Sequence, residues 1–232
     1  MESSIAENLE TVRAVITESE RRSGRLAGSV ELIAVSKTHP PEIVRQAVDA
    51  GQLLFGENRV QEAKAKIPDL PAKLRWHLIG HLQTNKIRQA LPLFEVIHGV
   101  DSVELLDEFQ RIAGDLGLFP RVLLQVNVAG ESSKFGFSPQ RLLSQVEQIS
   151  RADRVQIEGL MTIPPPSLNA EDSRGYFVQL RQLRDRLEME FRFPLPHLSM
   201  GMSGDYRVAI EEGATLVRVG TAIFGERGAK RP

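Results

Sequence analysis

The chain has 232 residues, with 29 Lys and Arg against 30 Asp and Glu, so its formal net charge is −1. Hydrophobic residues make up 41% and charged residues 25%, a composition typical of a globular protein and not of a disordered or fibrous one. The balanced charge gives no sign of nucleic acid or an anionic membrane as a partner. The absence of cysteine excludes disulfides, thiolate nucleophiles and Cys-based metal sites.

The first 22 residues lack the features of a targeting sequence. Acidic residues lie among the apolar ones, and the basic start and apolar core of a signal peptide are missing. No stretch of the sequence approaches the roughly 18 apolar residues of a membrane span. We therefore expect a cytoplasmic protein whose partners include neither nucleic acid nor a membrane.

The first predicted element is an amphipathic helix over about residues 4–22, because Ile5, Leu9, Val12 and Ile16 follow helical spacing. Only a short segment follows the last predicted strand. We therefore expect this N-terminal helix to fill part of the place of a barrel's eighth helix.

Eight short apolar or β-branched runs follow, each with the length of a buried strand. They cover residues 30–35, 53–55, 74–79, 94–100, 122–128, 155–163, 196–200 and 216–219. Helical patterns lie between most of them, and a repeat of roughly 26 residues per strand and helix is typical of βαβ units. The predicted fold class is α/β: a single (β/α)8 TIM barrel over about residues 30–227, within one domain of residues 1–232. A doubly wound open sheet is the alternative.

The first predicted strand ends at a lysine. Ligand sites of such barrels form at the C-terminal ends of the strands, and phosphate is often held after strands 7 and 8. Ser36 and Lys37 directly follow the first strand. A lysine that emerges from an apolar run can be partly desolvated, so that a neutral amine is available to attack an aldehyde. The alternative is that Lys37 is the first solvated residue after the strand.

The ends of strands 7 and 8 carry features of a phosphate site. We expect Ser203 to cap the helix over residues 206–212, whose free N–H groups attract phosphate; an ordinary capped turn is the alternative. Arg218 lies on the eighth predicted strand, and Gly220 and Thr221 directly follow its end. Alternation places Arg218 and Gly220 on one side of the strand. If that side is inward, Arg218 must be paired or bound to a ligand, because burying the cation alone is costly.

An amine, a phosphate site and an inward cation together indicate a ligand that is both an aldehyde and a phosphate, such as a sugar phosphate or pyridoxal 5′-phosphate. Asn58, after the second strand, either donates to a ligand oxygen or caps the next helix. His77 and His81 are separated by a strand-to-loop break, so we expect no metal site, and His81 is a candidate for a ligand contact. Lys134 is a second lysine at the same face or a solvated loop residue.

Seven motifs of the chain occur in a recognisable order. They are AVSKTHP, FGENRVQE, WHLIGHLQTNK, SSKFGF, GLMTIPP, LSMGMSGDYRVAI and VRVGTAIFG. In this combination the chain resembles the pyridoxal phosphate homeostasis proteins (PLPBP/YggS-like) over about residues 30–227. Leu78 departs from the pattern, where an aromatic residue or Met is more usual, and this should affect packing rather than chemistry.

The resemblance implies a barrel similar to that of alanine racemases and eukaryotic ornithine decarboxylases, with pyridoxal 5′-phosphate (PLP) as the cofactor. Lys37 would form the internal aldimine, Ser203, Gly220 and Thr221 would hold the phosphate, and Arg218 would face the pyridine nitrogen. The whole predicted cofactor-binding set comes from four strand ends. It consists of Lys37, Asn58, Met200, Ser203, Arg218, Gly220 and Thr221.

The resemblance also implies a protein that stores or delivers PLP, possesses no catalytic residues of its own and does not turn over a substrate. Because a guanidinium has only donors, Arg218 favours an unprotonated pyridine nitrogen and weakens the ring as an electron sink. We also expect no second domain to supply another acid or base. The alternatives are a PLP-dependent racemase or decarboxylase and, more distantly, a Schiff-base aldolase. We expect a monomer with PLP-dependent apo-enzymes as partners, and Lys134 as a second acceptor during release.

Overall fold

Strands and helices alternate along the chain, which a computed structural model describes over residues 3–131 and 134–226. The strands are β1 (Glu31–Val35), β2 (Leu54–Glu57), β3 (Arg75–Leu78), β4 (Val96–Val100), β5 (Arg121–Gln125), β6 (Gln156–Met161), β7 (His197–Met202) and β8 (Leu216–Val219). The α-helices are α1 (Ile5–Arg22), α2 (Pro41–Asp49), α3 (Val60–Lys66), α4 (Ile87–Ala90), α5 (Val103–Leu116), α6 (Pro139–Ile149), α7 (Arg174–Phe191), α8 (Tyr206–Glu211) and α9 (Thr221–Phe224). The first two serines of the SSKFGF motif and the predicted end of the barrel at residue 227 lie outside the described residues.

The strands close into a barrel in chain order, because β8 returns to pair in parallel with β1. Ile33 of β1 lies opposite Arg218 of β8 in this register. The predicted (β/α)8 barrel is therefore confirmed, and a doubly wound open sheet is excluded. The C-terminal ends of all eight strands lie at one rim, as the sequence analysis assumes.

Each predicted strand overlaps an observed one, and the largest difference is at β5. The sequence predicts a strand up to residue 128, but β5 ends at Gln125. Val126 forms only an isolated bridge with Phe137, and the N–H of Asn127 donates to the Phe137 carbonyl over 2.9 Å. The chain therefore leaves the barrel sheet and pairs with its own loop before it reaches Val128.

The N-terminal helix α1 packs against α2, α8 and α9, which is the position of the eighth helix in a complete barrel. Leu9, Val12 and Ile16 on its inner face are buried. The Asn8 amide donates to the Ile223 carbonyl over 2.9 Å, which ties the helix to α9. The prediction that this helix fills part of the eighth helix's place is confirmed.

An apolar and a charged set of side chains lie inside the barrel, beneath its C-terminal rim. The inner core consists of Ile33, Leu54, Val96, Leu123, Met161 and Leu216. These side chains alternate along the strands with those of the larger core under the helices, so they point to the barrel axis. Nearer the N-terminal ends, four ion pairs of 2.7 Å join a row of side chains that we call the charged layer: Glu31, Arg75, Glu95, Arg121 and Glu158. Among the described residues, no helix has the length and apolar character needed to cross a membrane.

Candidate functional site

A cavity of about 440 Å³ opens at the C-terminal ends of the strands, a size within the range of small-molecule sites. Residues from the ends of most strands line it. They are Val35, Lys37, Asn58, Ile79, Gly80, His81, Gln125, Phe135, Ile163, Met202, Ser203, Gly204, Arg218, Gly220 and Thr221. Every predicted cofactor-binding residue except Met200 is in this group.

Met200 does not line the cavity. Its side chain is fully buried in the larger core under the helices. The reason is the alternation of β7: Ser199 points inward and bonds to Arg218, so the next residue along the strand points outward. Met202 lines the cavity although strict alternation would place it on the side of Met200, because the register of β7 against β8 shifts between Ser199 and Met202. The structure therefore does not bring the Met200 side chain to the other predicted residues.

Lys37 is half-buried at the end of β1, and a tight turn presents it. The N–H of His39 donates to the Ser36 carbonyl over 3.1 Å, which closes the turn. Thr38 has a φ of 69°, a conformation that a β-branched residue rarely adopts. Its N–H lies 3.3 Å from a carboxylate oxygen of Glu62. Packing and hydrogen bonds therefore hold Lys37 in a turn that the local sequence disfavours.

A buried ion pair lies beneath this turn, and the sequence analysis misses it. Lys66 Nζ lies 2.5 Å from Glu57 Oε1 and donates to the Ser36 carbonyl over 2.8 Å. The Ser36 hydroxyl donates to the same carboxylate oxygen over 2.6 Å. Burial raises the pKa of Glu57, while the hydrogen bonds from Lys66 and Ser36 lower it. The only signal in the sequence is a charged residue directly after the apolar start of β2.

The ends of β7 and β8 meet at one side of the cavity. The Ser203 hydroxyl accepts from the N–H groups of Gly220 and Ala222 at 3.2 and 3.3 Å. A side chain at Gly220 would bring a Cβ within 3.3 Å of the Val35 carbonyl oxygen, so glycine permits β8 to approach the end of β1. Together with the Thr221 hydroxyl, these groups form a set of hydroxyl and N–H donors of the kind that binds phosphate.

The predicted role of Ser203 as the cap of α8 is wrong. Asp205 occupies the N-cap position, and Ser203 makes no capping hydrogen bond to α8. A carboxylate oxygen of Asp205 instead accepts from the N–H of Met202 over 2.7 Å. Ser203 lies two residues before the cap and turns toward β8, which brings its hydroxyl to the cavity rather than to α8.

Arg218 is the buried cation of the cavity, with 4% of its surface exposed. Its guanidinium donates to the Ser199 hydroxyl over 2.5 Å and to the Thr162 carbonyl over 2.8 Å. Burial lowers the pKa of Arg218 to about 10, so the group stays protonated at neutral pH. Among the described residues no carboxylate forms an ion pair with it, and Asp205 acts on its charge only at longer range, so the cavity contains a positive charge that favours an electron-rich ligand atom.

An aromatic stack borders the mouth of the cavity. The rings of His81 and Phe135 lie 3.8 Å apart with an interplanar angle of 12°, and His81 Nδ1 lies 3.2 Å from a carboxylate oxygen of Asp101. Lys134 pairs with Glu131 at 2.7 Å and does not line the cavity. The described residues contain no cluster of His, Asp and Glu able to hold a metal ion.

Known relatives match nearly the whole chain. Residues 3–228 match the family of the alanine racemase N-terminal domain. A pyridoxal phosphate homeostasis protein of Aquifex aeolicus is 46% identical over 222 residues, which cover 95% of this chain and 97% of the relative. A protein of the same name from Vibrio cholerae is 43% identical, and the match covers 98% of each chain.

Solved structures show the same similarity. PipY of Synechococcus elongatus, in a structure with PLP bound, is 45% identical with a TM-score of 0.84 over 96% of this chain and all of that one. An alanine racemase of Clostridium difficile is 14% identical with a TM-score of 0.75, and the match covers 98% of this chain and 58% of that chain. The second likeness shows the shared barrel alone. Because the relatives from Aquifex and Vibrio are 46% and 43% identical to it over nearly its full length, this chain belongs to the family of the pyridoxal phosphate homeostasis proteins.

Proposed function

We propose that this protein binds PLP in the cavity at the C-terminal ends of the strands and holds it in a reversible covalent link to Lys37. One observation carries the proposal: the Lys37 side chain, the buried guanidinium of Arg218 and the donors around Ser203 line one cavity. PLP combines an aldehyde, a ring nitrogen and a phosphate, which match these three groups in turn. The residues present therefore fit this cofactor.

Each residue has a separate task in this proposal. PLP supplies an aldehyde that a neutral lysine amine attacks with loss of water, and the turn at Lys37 presents the amine. The hydroxyls of Ser203 and Thr221 donate hydrogen bonds to the phosphate, and the Gly220 N–H, which donates to Ser203 Oγ, orients the first of them. Arg218 donates to the ring nitrogen and keeps it unprotonated, because a guanidinium has no acceptor. Asn58, at the end of β2, is placed to donate to a ring oxygen.

A holding role fits these residues better than turnover does. A ring nitrogen that accepts from Arg218 stabilises a carbanion poorly. A racemase or decarboxylase also needs a second acid or base beside the reacting carbon, and His81 at the mouth is the candidate that this cavity offers. The relatives from Aquifex and Vibrio carry names that describe PLP homeostasis, which supports holding and delivery.

Hydride trapping tests the proposal. Borohydride treatment of the purified protein with PLP should add the mass of reduced PLP to the peptide that contains Lys37. Lys37→Met should remove the adduct. Lys134→Met, a change of the same kind outside the cavity, should retain it. An adduct that forms equally well in Lys37→Met, or no adduct in the unaltered protein, would contradict the proposal.

Incubation of the loaded protein with a panel of amino acids separates holding from turnover. Holding predicts no sustained racemisation and no continuing release of carbon dioxide. Transfer of PLP to an apo-enzyme, faster than release into buffer, would support delivery. A monomeric state and a cytoplasmic location belong to the same proposal, and light scattering and cell fractionation check them.

A further inference from the structure

Four buried polar side chains form a hydrogen-bonded chain inside the barrel, and the proposed function uses only the first of them. Arg218 Nη1 donates to Ser199 Oγ over 2.5 Å. Ser199 Oγ lies 2.9 Å from His98 Nδ1, and His98 Nε2 lies 3.0 Å from His77 Nδ1. From Arg218 to His77 the exposed fractions are 4, 0, 0 and 1%. We call this set the interior chain; it runs from the cavity into the closed part of the barrel.

The hydrogen positions of the interior chain follow from the chemistry of Arg218. A guanidinium has only donors, so Ser199 Oγ must accept from it. Ser199 then gives its own hydrogen to His98 Nδ1, since it has no other acceptor among the described residues. His98 therefore carries its hydrogen on Nε2 and donates it to His77 Nδ1. By the same logic His77 also carries its hydrogen on Nε2.

The opposite direction leaves more groups without partners. If both histidines carried the hydrogen on Nδ1, Ser199 would accept twice and its own hydrogen would be buried without an acceptor. That loss is costly in the barrel interior, whereas His77 Nε2 has no partner in the described residues in either direction. Charged histidines are also disfavoured. Burial lowers the pKa of His77 to about 3 and holds that of His98 well below its ordinary value.

We propose that Ser199 and His98 are positioning residues which, together with His77, form a one-way and uncharged hydrogen-bond chain that fixes the guanidinium of Arg218. A carboxylate in the place of Ser199 would also orient Arg218, but it would neutralise the cation. The interior chain orients the cation and leaves its charge available to a ligand in the cavity. That last step rests on the proposed function, whereas the arrangement of hydrogens does not.

Histidine tautomers in the ligand-free protein test the arrangement directly. Long-range ¹H–¹⁵N spectra of ¹⁵N-histidine-labelled protein distinguish the two neutral tautomers from the cation. We expect His77 and His98 to be neutral with hydrogen on Nε2 between about pH 5 and 8. His77→Gln and His98→Gln assign the two signals. An Nδ1–H tautomer or a protonated ring at either position would overturn the proposal.

Variants of Ser199 test positioning. Ser199→Ala should shift the His98 signals and make the Arg218 guanidinium hydrogens exchange roughly tenfold faster with water, through loss of one charge-assisted hydrogen bond. Ser199→Thr keeps the hydroxyl and should restore both values. Ser173→Ala, at a buried serine outside the barrel interior, is the matched control. Unchanged Arg218 exchange in a folded Ser199→Ala protein would refute the proposal, as would the absence of rescue in Ser199→Thr.

These measurements use no PLP, so they can fail or succeed independently of the proposed function. Failure to trap a Lys37 adduct would contradict PLP as the ligand, but it would not affect the predicted tautomers of His77 and His98. An Nδ1–H tautomer or a protonated ring at His77 or His98, in a protein that traps PLP, would contradict the interior chain alone. With PLP added, Ser199→Ala should weaken PLP binding, and Ser199→Thr should recover it. Equal affinities of the unaltered protein and both variants would show that the interior chain does not affect PLP binding.

Discussion

Nζ of Lys66 lies 2.5 Å from Oε1 of Glu57, and the two side chains are 6% and 0% exposed. Because Lys66 also donates to the carbonyl of Ser36, the pair ties α3 and the end of β2 to the residue before Lys37. The stability of the turn at Lys37 therefore depends on two charges that are almost completely buried.

Removing one partner of this pair should be strongly destabilising. Lys66→Met leaves the Glu57 carboxyl buried without a cation, which should lower the free energy of unfolding by about 3–5 kcal/mol. Urea denaturation measures the loss. Lys64→Met, at an exposed lysine of the same helix, should change stability by less than about 0.5 kcal/mol. Equal stability of the two variants would show that the pair contributes nothing.

Thr38 offers a test of backbone strain at the site. Its φ of 69° lies in the left-handed region, which costs a residue with a Cβ about 1–2 kcal/mol. Thr38→Gly relieves this cost and adds some freedom to the unfolded chain, so we expect a net gain of up to about 1 kcal/mol. Thr38→Ala keeps the Cβ and should gain little. A loss of stability in Thr38→Gly would mean that the Thr38 side chain stabilises the turn.

The donors around Ser203 should discriminate PLP from pyridoxal, which lacks only the phosphate. The double change Ser203→Ala and Thr221→Ala should weaken PLP binding by roughly one to two orders of magnitude, since each hydroxyl contributes a charge-assisted hydrogen bond. Pyridoxal binding should stay the same. Equilibrium dialysis with both compounds measures the difference. Equal losses for the two ligands would place the phosphate elsewhere in the cavity.

The buried histidines predict how stability depends on pH. Unfolded histidines take up a proton near about pH 6.5, whereas burial lowers the pKa of His77 to about 3. Between these values the unfolded chain binds more protons than the folded one, so stability is highest above the upper value and falls as the pH decreases. Each such histidine contributes a slope on the order of 1 kcal/mol per pH unit.

Urea unfolding at a series of pH values checks this slope. His98→Gln should flatten it, because one buried histidine no longer titrates in the unfolded chain. Ser173→Ala, which removes no titratable group from the chain, serves as the control and should keep the dependence. A slope that is identical in all three proteins would assign acid destabilisation to carboxylates instead.

The sequence predicts the barrel and much of its rim for a simple geometric reason. Once eight apolar runs are assigned to parallel strands, every strand end lies at one face, so Lys37 and Arg218 can be placed near each other although they are far apart in the chain. Met200 shows the limit. In the run from Ser199 to Met202 small and apolar residues alternate without clear polar contrast, so the inward phase of β7 cannot be read from sequence.

The groups that support the rim are harder to predict. Lys66 is one of several charged residues on α3, and only the folded chain shows that its Nζ reaches Glu57 and Ser36. His98 lies within an apolar strand, where a histidine gives no indication of its partner. Both contacts join residues at least nine positions apart, a separation at which helix and strand periodicity carry no information.

The inner core and the interior chain together fill the barrel beneath the cavity, and the charged layer lies nearer the N-terminal ends of the strands. If the proposed function holds, PLP would enter and leave the cavity at the C-terminal ends of the strands, through the mouth beside His81 and Phe135. A recipient protein bound there would cover the mouth, so that transfer of PLP to the recipient and binding of new PLP could not occur at the same time. The rate of PLP exchange would then depend on the lifetime of the complex with the recipient, and not on passage of PLP through the barrel.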